Sequence, residues 1–194
     1  MGILKNRTFA IVLSVILCLL FALLGMNRSV AKEAEKYSAG FYDGVYVKEG
    51  DYTSASIYSI LKSCCNHSLT LASVFADCPG VSDDAAALTE ARRALIDAME
   101  SEDISDMYGA NYMVTATAEA LMDAAGGAEI SDSDRSKAAD AYEKLTGAEA
   151  AISKNPYNDS LSEFYAKVMG TLPVRLGRWA IFASGPEGFA FKEL

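Results

Sequence analysis

A single histidine, His67, stands among 194 residues. That scarcity excludes the paired Glu-x-x-His ligands of a di-iron bundle within one chain. It excludes the His-Glu-x-x-His zinc motif for the same reason. Basic side chains are also few, 17 Lys and Arg against 26 Asp and Glu, for a net charge of −9. Phosphate recognition needs clustered Lys and Arg to displace counterions, so nucleic acid is not an expected partner. Arg92-Arg93 and Arg175/Arg178 are too few to make a basic patch. Beyond Cys18 the cysteines are Cys64, Cys65 and Cys78, an odd set without a Cys-x-x-Cys pair. Such a set is unlike a disulfide framework and reads as small apolar residues on helices. A phosphate cradle is missing too, because Gly126-Gly127 lacks the lysine and the preceding strand that one requires, and reads as a helix end. No run of β-branched alternation suggests a sheet. A hydrophobic content of 51% excludes disorder, and the length allows one domain with a proper core.

The acidic balance hides a split. Residues 1–32 carry four basic side chains (Lys5, Arg7, Arg28, Lys32) and no acidic one, which leaves thirteen basic against twenty-six acidic in residues 33–194. The basic end contains Thr8–Met26, nineteen residues without a charge. About 20 apolar residues in a helix cross a bilayer core, where only a helix satisfies its own backbone. Lipid is therefore the expected partner of residues 8–26. A cleaved signal peptide is the rival, with Lys5 and Arg7 as its basic start and Ser29-Val30-Ala31 as its small residues. The apolar run is long for that role, and Arg28 falls where the stretch is usually neutral. Leu17 precedes Cys18 where a lipoprotein needs a small residue. Lysine and arginine nearly tie on the two flanks, so the side of the membrane stays open.

The polar run Asn27–Ser38 can extend the membrane helix until Gly40 stops it. A Gly- and aromatic-rich connector follows, with a short extended piece at Val45–Lys48. Four helical patterns come next. The first runs from about Asp51 to Ala76 with Ile57, Ile60, Leu61, Cys64, Leu71 and Phe75 inward, and Cys78-Pro79-Gly80 ends it. The second opens on Ser82 as N-cap with Asp83 and Asp84 in the first turn, and aligns Leu88, Ala91, Leu95 and Met99. In the third, Met107, Asn111, Val114, Ala118 and Leu121 follow steps of four, three, four and three. The fourth begins at Ser131, with Asp134 as a weak capping-box partner. Its apolar positions are Ala138, Tyr142, Leu145, Ala148 and Ile152.

After Asn155-Pro156, a last helix aligns Tyr157, Leu161, Phe164, Val168 and Leu172 before Pro173. The expected fold is all-α: an N-terminal transmembrane helix, then an antiparallel up-and-down bundle of four to five helices. Residues 1–32 form the anchor, 33–50 the connector, 51–172 the bundle and 173–194 an apolar tail. That tail holds Trp179, Ile181, Phe182, Phe189 and Phe191 beside Arg175 and Arg178. It either folds back on the bundle core or docks on a membrane surface or a partner.

Chemistry-bearing sets are sparse. Cys64 and His67, three apart on one helix, are half of a zinc site that Cys78 would have to complete. The same pair is a poor nucleophile-base couple, lacking an orienting third residue. Asp83-Asp84 and Glu100-Ser101-Glu102-Asp103 lack the spaced oxygens and central glycine of a calcium loop. No catalytic residue, cofactor site or metal site is assigned.

Tyr157-Asn158, Phe164-Tyr165, Pro173 and then Phe189 in a Gly/Pro-containing end resemble the C-terminal signature of the LemA family. The short N-terminus, single membrane helix and helical bundle match that family, as does the Leu/Ala/Arg pattern from Leu88 to Leu121 that includes Asn111. The resemblance implies a bacterial, membrane-anchored helical protein without established enzymatic activity, some relatives being tied to membrane organisation or organelle formation. It implies packing and helix-boundary roles for Tyr157, Asn158, Phe164 and Pro173. The expected function is therefore a membrane-tethered, non-enzymatic scaffold with protein partners and possible homo-oligomers. The alternative is an extracytoplasmic sensor holding a small ligand between helices.

Overall fold

The computed structural model describes residues 7–171, 174–175 and 185–189. Leu172, Pro173, Arg178, Trp179, Ile181, Phe182 and Phe191, which figure in the sequence reading, lie outside them. The fold is all-α apart from one small hairpin: an N-terminal apolar helix followed by an antiparallel up-and-down bundle. Two compact units divide the chain. One comprises Met1–Ala39 and Asp159–Pro186, the other Gly40–Asn158 and Glu187–Leu194.

In the first unit, helix α1 (Arg7–Asp43, its last turn belonging to the second unit) starts as an apolar rod. Phe9, Ile11, Val12, Leu13, Val15, Ile16, Leu17, Leu19, Leu20, Phe21 and Leu24 are all exposed. Further along the helix, Val30 and Ala34 are buried with Phe164 and Val174, bordered by Tyr37, Val168 and Met169. Tyr37 meets Phe164 edge-on with centroids 5.3 Å apart. Phe164 ends α6 (Tyr157–Phe164), which continues as a π-helical turn over Tyr165–Met169. The expected α-helical stripe therefore loses its register after Phe164, and Val168 is only half-buried.

Gly40 does not end α1. The helix runs three residues further, because Phe41 becomes fully buried and this offsets the roughly 1 kcal/mol that a mid-helix glycine costs. Gly44 ends it instead, at φ +87°, where a Cβ would stand 2.0 Å from the Ser54 carbonyl oxygen.

In the second unit, the segment expected to open the first bundle helix instead closes a hairpin. Strands β1 (Tyr46–Val47) and β2 (Tyr52–Thr53) pair antiparallel, with Asp51 at φ 50° in the turn. Helix α2 (Ile57–Phe75) therefore begins six residues later than Asp51, where the Ser56 hydroxyl accepts from the Ser59 amide at 3.1 Å. Next come α3 (Ser82–Ser101), α4 (Ile104–Ala124) and α5 (Asp132–Ser153).

Ser82 is not a cap. Its amide already donates to the Cys78 carbonyl at 3.1 Å, so Val81 takes the boundary position. Asp103 and Ser131 do cap α4 and α5, accepting from Asp106 and Asp134 amides. The stripes Leu88–Ala91–Leu95–Met99 and Met107–Asn111–Val114–Ala118–Leu121 are buried throughout. On α5, Ala141 is buried while Tyr142 and Ala148 are only half-buried, a shift of the inward face by one residue. Extensive packing joins α3 to α4, α2 to α5 and α2 to α3. By contrast, α4 and α5 touch sparingly.

Candidate functional site

The sequence-predicted chemistry does not assemble. Cys64 is 3% exposed, and burial pushes its thiol up to about 12, so at neutral pH it is neither thiolate nor ready ligand. Burial also raises Cys65, partly countered by the Arg92 guanidinium. The Cys78 Sγ lies 3.8 Å from the Val74 carbonyl oxygen at the helix end. Among the described residues no group of three His, Cys, Asp or Glu side chains is placed to hold a metal ion. Asp83 and Asp84 occupy the first turn of α3, where the helix dipole favours them; of the second cluster only Asp103 serves a helix start, as the α4 cap, while Glu100 and Glu102 stand at the C-terminal end of α3.

Depressions on the bundle surface include two bordered by polar side chains among the described residues. The larger, about 500 Å³, lies along α2 and α3 and includes Tyr58, Lys62, Cys65, Arg92, Glu100 and Glu102. Its two cations already have partners. Arg92 Nε donates to the Cys65 carbonyl at 2.8 Å, and the Lys62 ammonium stands 4.7 Å from the centre of the Tyr58 ring. Opposite charges border it in equal number, leaving no net preference for an ion.

The smaller depression, about 220 Å³, occupies the sparsely packed seam between α4 and α5. Tyr108, Asn111, Tyr112 and Thr115 come from α4. Glu149, Ile152 and Ser153 come from α5, with Asn158 and Phe189 completing the lining. Asn111 sits on the buried stripe between Met107 and Val114 and is 7% exposed. Its side-chain oxygen, Oδ1, is buried and accepts no hydrogen bond among the described residues. A buried acceptor left unmade costs about 1–3 kcal/mol, and each such group calls for an explanation.

Phe189 is brought to this cleft by Tyr157 and Asn158 at the start of the last helix. The Asn158 side chain clasps its backbone in both directions, accepting from the Phe189 amide at 3.1 Å and donating to its carbonyl at 3.3 Å. The Tyr157 hydroxyl donates to the Glu187 carbonyl at 2.7 Å. The Phe189 ring packs edge-on to Tyr108 at 5.0 Å and against Phe41 at 5.8 Å. Residues 187–189 thus fold back on the bundle core. In the first unit Tyr165 makes the corresponding bond, its hydroxyl donating to the Pro186 carbonyl at 3.3 Å.

Sequence reasoning placed Asn111 and Ile152 on inward stripes but missed Tyr108, Tyr112, Glu149 and Ser153 as neighbours. One signal was available: an asparagine in a stripe otherwise built of Met, Val, Ala and Leu. Comparison with known proteins adds no lead, since no family model, curated protein or solved structure matches this chain.

Proposed function

We propose that this protein is a single-pass, membrane-anchored scaffold of the LemA type, non-enzymatic, whose bundle engages protein partners at the cell membrane. One observation carries the proposal: α1 is an unbroken helix whose residues 9–22 carry no charge and are all exposed, while Val30 further along it is buried in a core. The apolar stretch Thr8–Met26 is about 28 Å long at 1.5 Å per residue, close to the roughly 30 Å hydrocarbon thickness. Cleavage after Ala31 would remove Val30 from the cluster it shares with Ala34, Phe164 and Val174. Peptidases favour exposed, unstructured chain, and Ser29–Ala31 is helical. Photo-crosslinkers placed at Leu69 and Met113, both exposed on the bundle, test the scaffold role in intact cells. Discrete adducts heavier than the chain support it. A chain that stays uncrosslinked from both positions contradicts it.

A second reading, a bundle that holds a small ligand, is favoured by the depression of about 220 Å³ at the sparsely packed α4–α5 seam. Thermal stabilisation of the detergent-solubilised chain by members of a metabolite library is its test, and a flat screen sinks it.

A further inference from the structure

We propose that a collar of cations just beyond the apolar span, Arg28, Lys32 and Arg175, selects anionic phospholipid headgroups around the helix. The inference rests on the anchor reading and names the lipid class. At 1.5 Å per residue, Arg28 and Lys32 stand about 3 and 9 Å past Met26, within the roughly 8–10 Å that charges reach at physiological salt. Glu33 and Glu35, the first acidic residues of the chain, come later, at about 10 and 14 Å, and Lys36 at about 15 Å. Helical side chains lean back towards the N-terminus, here towards the span, and the long stems of lysine and arginine reach further than a glutamate. Arg175 joins from far along the sequence, because its neighbour Val174 is buried in one cluster with Val30 and Ala34. All three cations are exposed, and none enters an ion pair among the described residues. Of the acidic residues on α6, Asp159 stands in its first turn and Glu163 is paired with Lys167.

The arrangement fits a surface better than a single soluble anion. Arg28 and Lys32 lie two residues either side of Val30, about 200° around the helix from it, whereas Arg175 follows a residue that shares Val30's cluster. The cations therefore surround the helix at one level. They diverge too far to converge on one phosphate, and a layer of headgroups encircling the helix meets them all.

The test reconstitutes the full chain in vesicles of equal phosphatidylcholine and phosphatidylglycerol, each lipid in turn carrying a photoactivatable acyl chain. Mass spectrometry should find phosphatidylglycerol adducts at least about fivefold above those of phosphatidylcholine, roughly the factor that one cation near an anionic surface supplies. Arg28→Gln, Lys32→Gln and Arg175→Gln combined should bring that ratio below about twofold. Lys137→Gln with Lys144→Gln, both exposed on α5, should leave it unchanged. In the native chain, sodium chloride at about 0.5 M should erase the preference, and sodium phosphate of equal ionic strength should act no differently. A stronger loss in phosphate reveals a discrete phosphate site and overturns the collar. Equal adducts from the two lipids overturn the headgroup selection and leave the anchor standing. No adduct with either lipid overturns both. A ratio that survives the triple substitution, or falls as far with the α5 pair, overturns the assignment.

Discussion

Leu17 in α1 and Leu121 in α4 are the same side chain in the same kind of helix, yet one is 44% exposed and the other 0%. Spacing explains the contrast. Around Leu121, apolar residues recur every three or four positions, so one face meets neighbouring helices and the others carry Glu119, Asp123 and hydroxyls. Around Leu17 every direction is apolar, so no single face can be assigned to a protein core. Among the described residues of the first unit, none buries residues 9–22 of this rod. A bilayer covers a helix on all sides at once, and the proposed anchor role gives the rod that environment. Under the proposed anchor role the two regions bury similar side chains in different solvents, and substitutions should separate them.

The largest effect is expected in the rod. Val15→Arg combined with Leu19→Arg places two charges where each costs about 2.5–3.5 kcal/mol on insertion scales. Fractionation of expressing cells should show the chain leaving the membrane, with the bundle's helical signal retained.

The second comparison pairs two phenylalanines. Phe41 is 0% exposed and meets Tyr42, Tyr58, Tyr157 and Phe189 at centroid distances of 5.1 to 6.5 Å, whereas Phe21 is 70% exposed. Phe41→Ala should cost about 3–5 kcal/mol. Phe21→Ala should leave bundle stability within about 0.5 kcal/mol, read from denaturation in detergent.

Alkaline pH supplies a third contrast within the bundle. The Cys64 thiol ionises near 9.0 when unperturbed but at about 12 in the fold. Both states stay protonated below pH 9, so the contribution is fully present there. As pH rises from about 9 towards about 12, the unfolded chain releases its proton first and stability falls. The difference in stability between the native chain and Cys64→Ala should therefore narrow over that range, and chemical denaturation at stepped pH measures it.

The smallest effect has the opposite sign. Asn111→Leu removes an unpaired buried acceptor from the α4 stripe and should raise stability by about 1 kcal/mol in thermal or urea unfolding. A loss there would mean that the amide is already satisfied in solution.

The bundle was legible wherever burial follows local spacing. Leu88 through Met99 and Met107 through Leu121 align because an α-helix repeats every 3.6 residues, and the sequence displays that repeat directly. Phe41 was not legible as a core hub. It sits in a Gly-rich stretch with no periodicity, and its partners Tyr157 and Phe189 are distant in sequence. Ser82 looked like a cap by residue type, but the Cys78–Val81 turn had already used its amide. The candidate cleft was half visible, through Asn111. Glu149 and Tyr112 lie on the exposed side of their helices, and nothing in the periodicity of α4 says which helix stands beside it across a loose seam.

The central claim is that α1 remains attached as a membrane anchor. Intact-mass spectrometry of the chain recovered from carbonate-washed membranes tests it most directly. The account predicts a membrane-retained species whose mass includes residues 1–31. A species lacking those residues, or recovery in the carbonate supernatant, would contradict it.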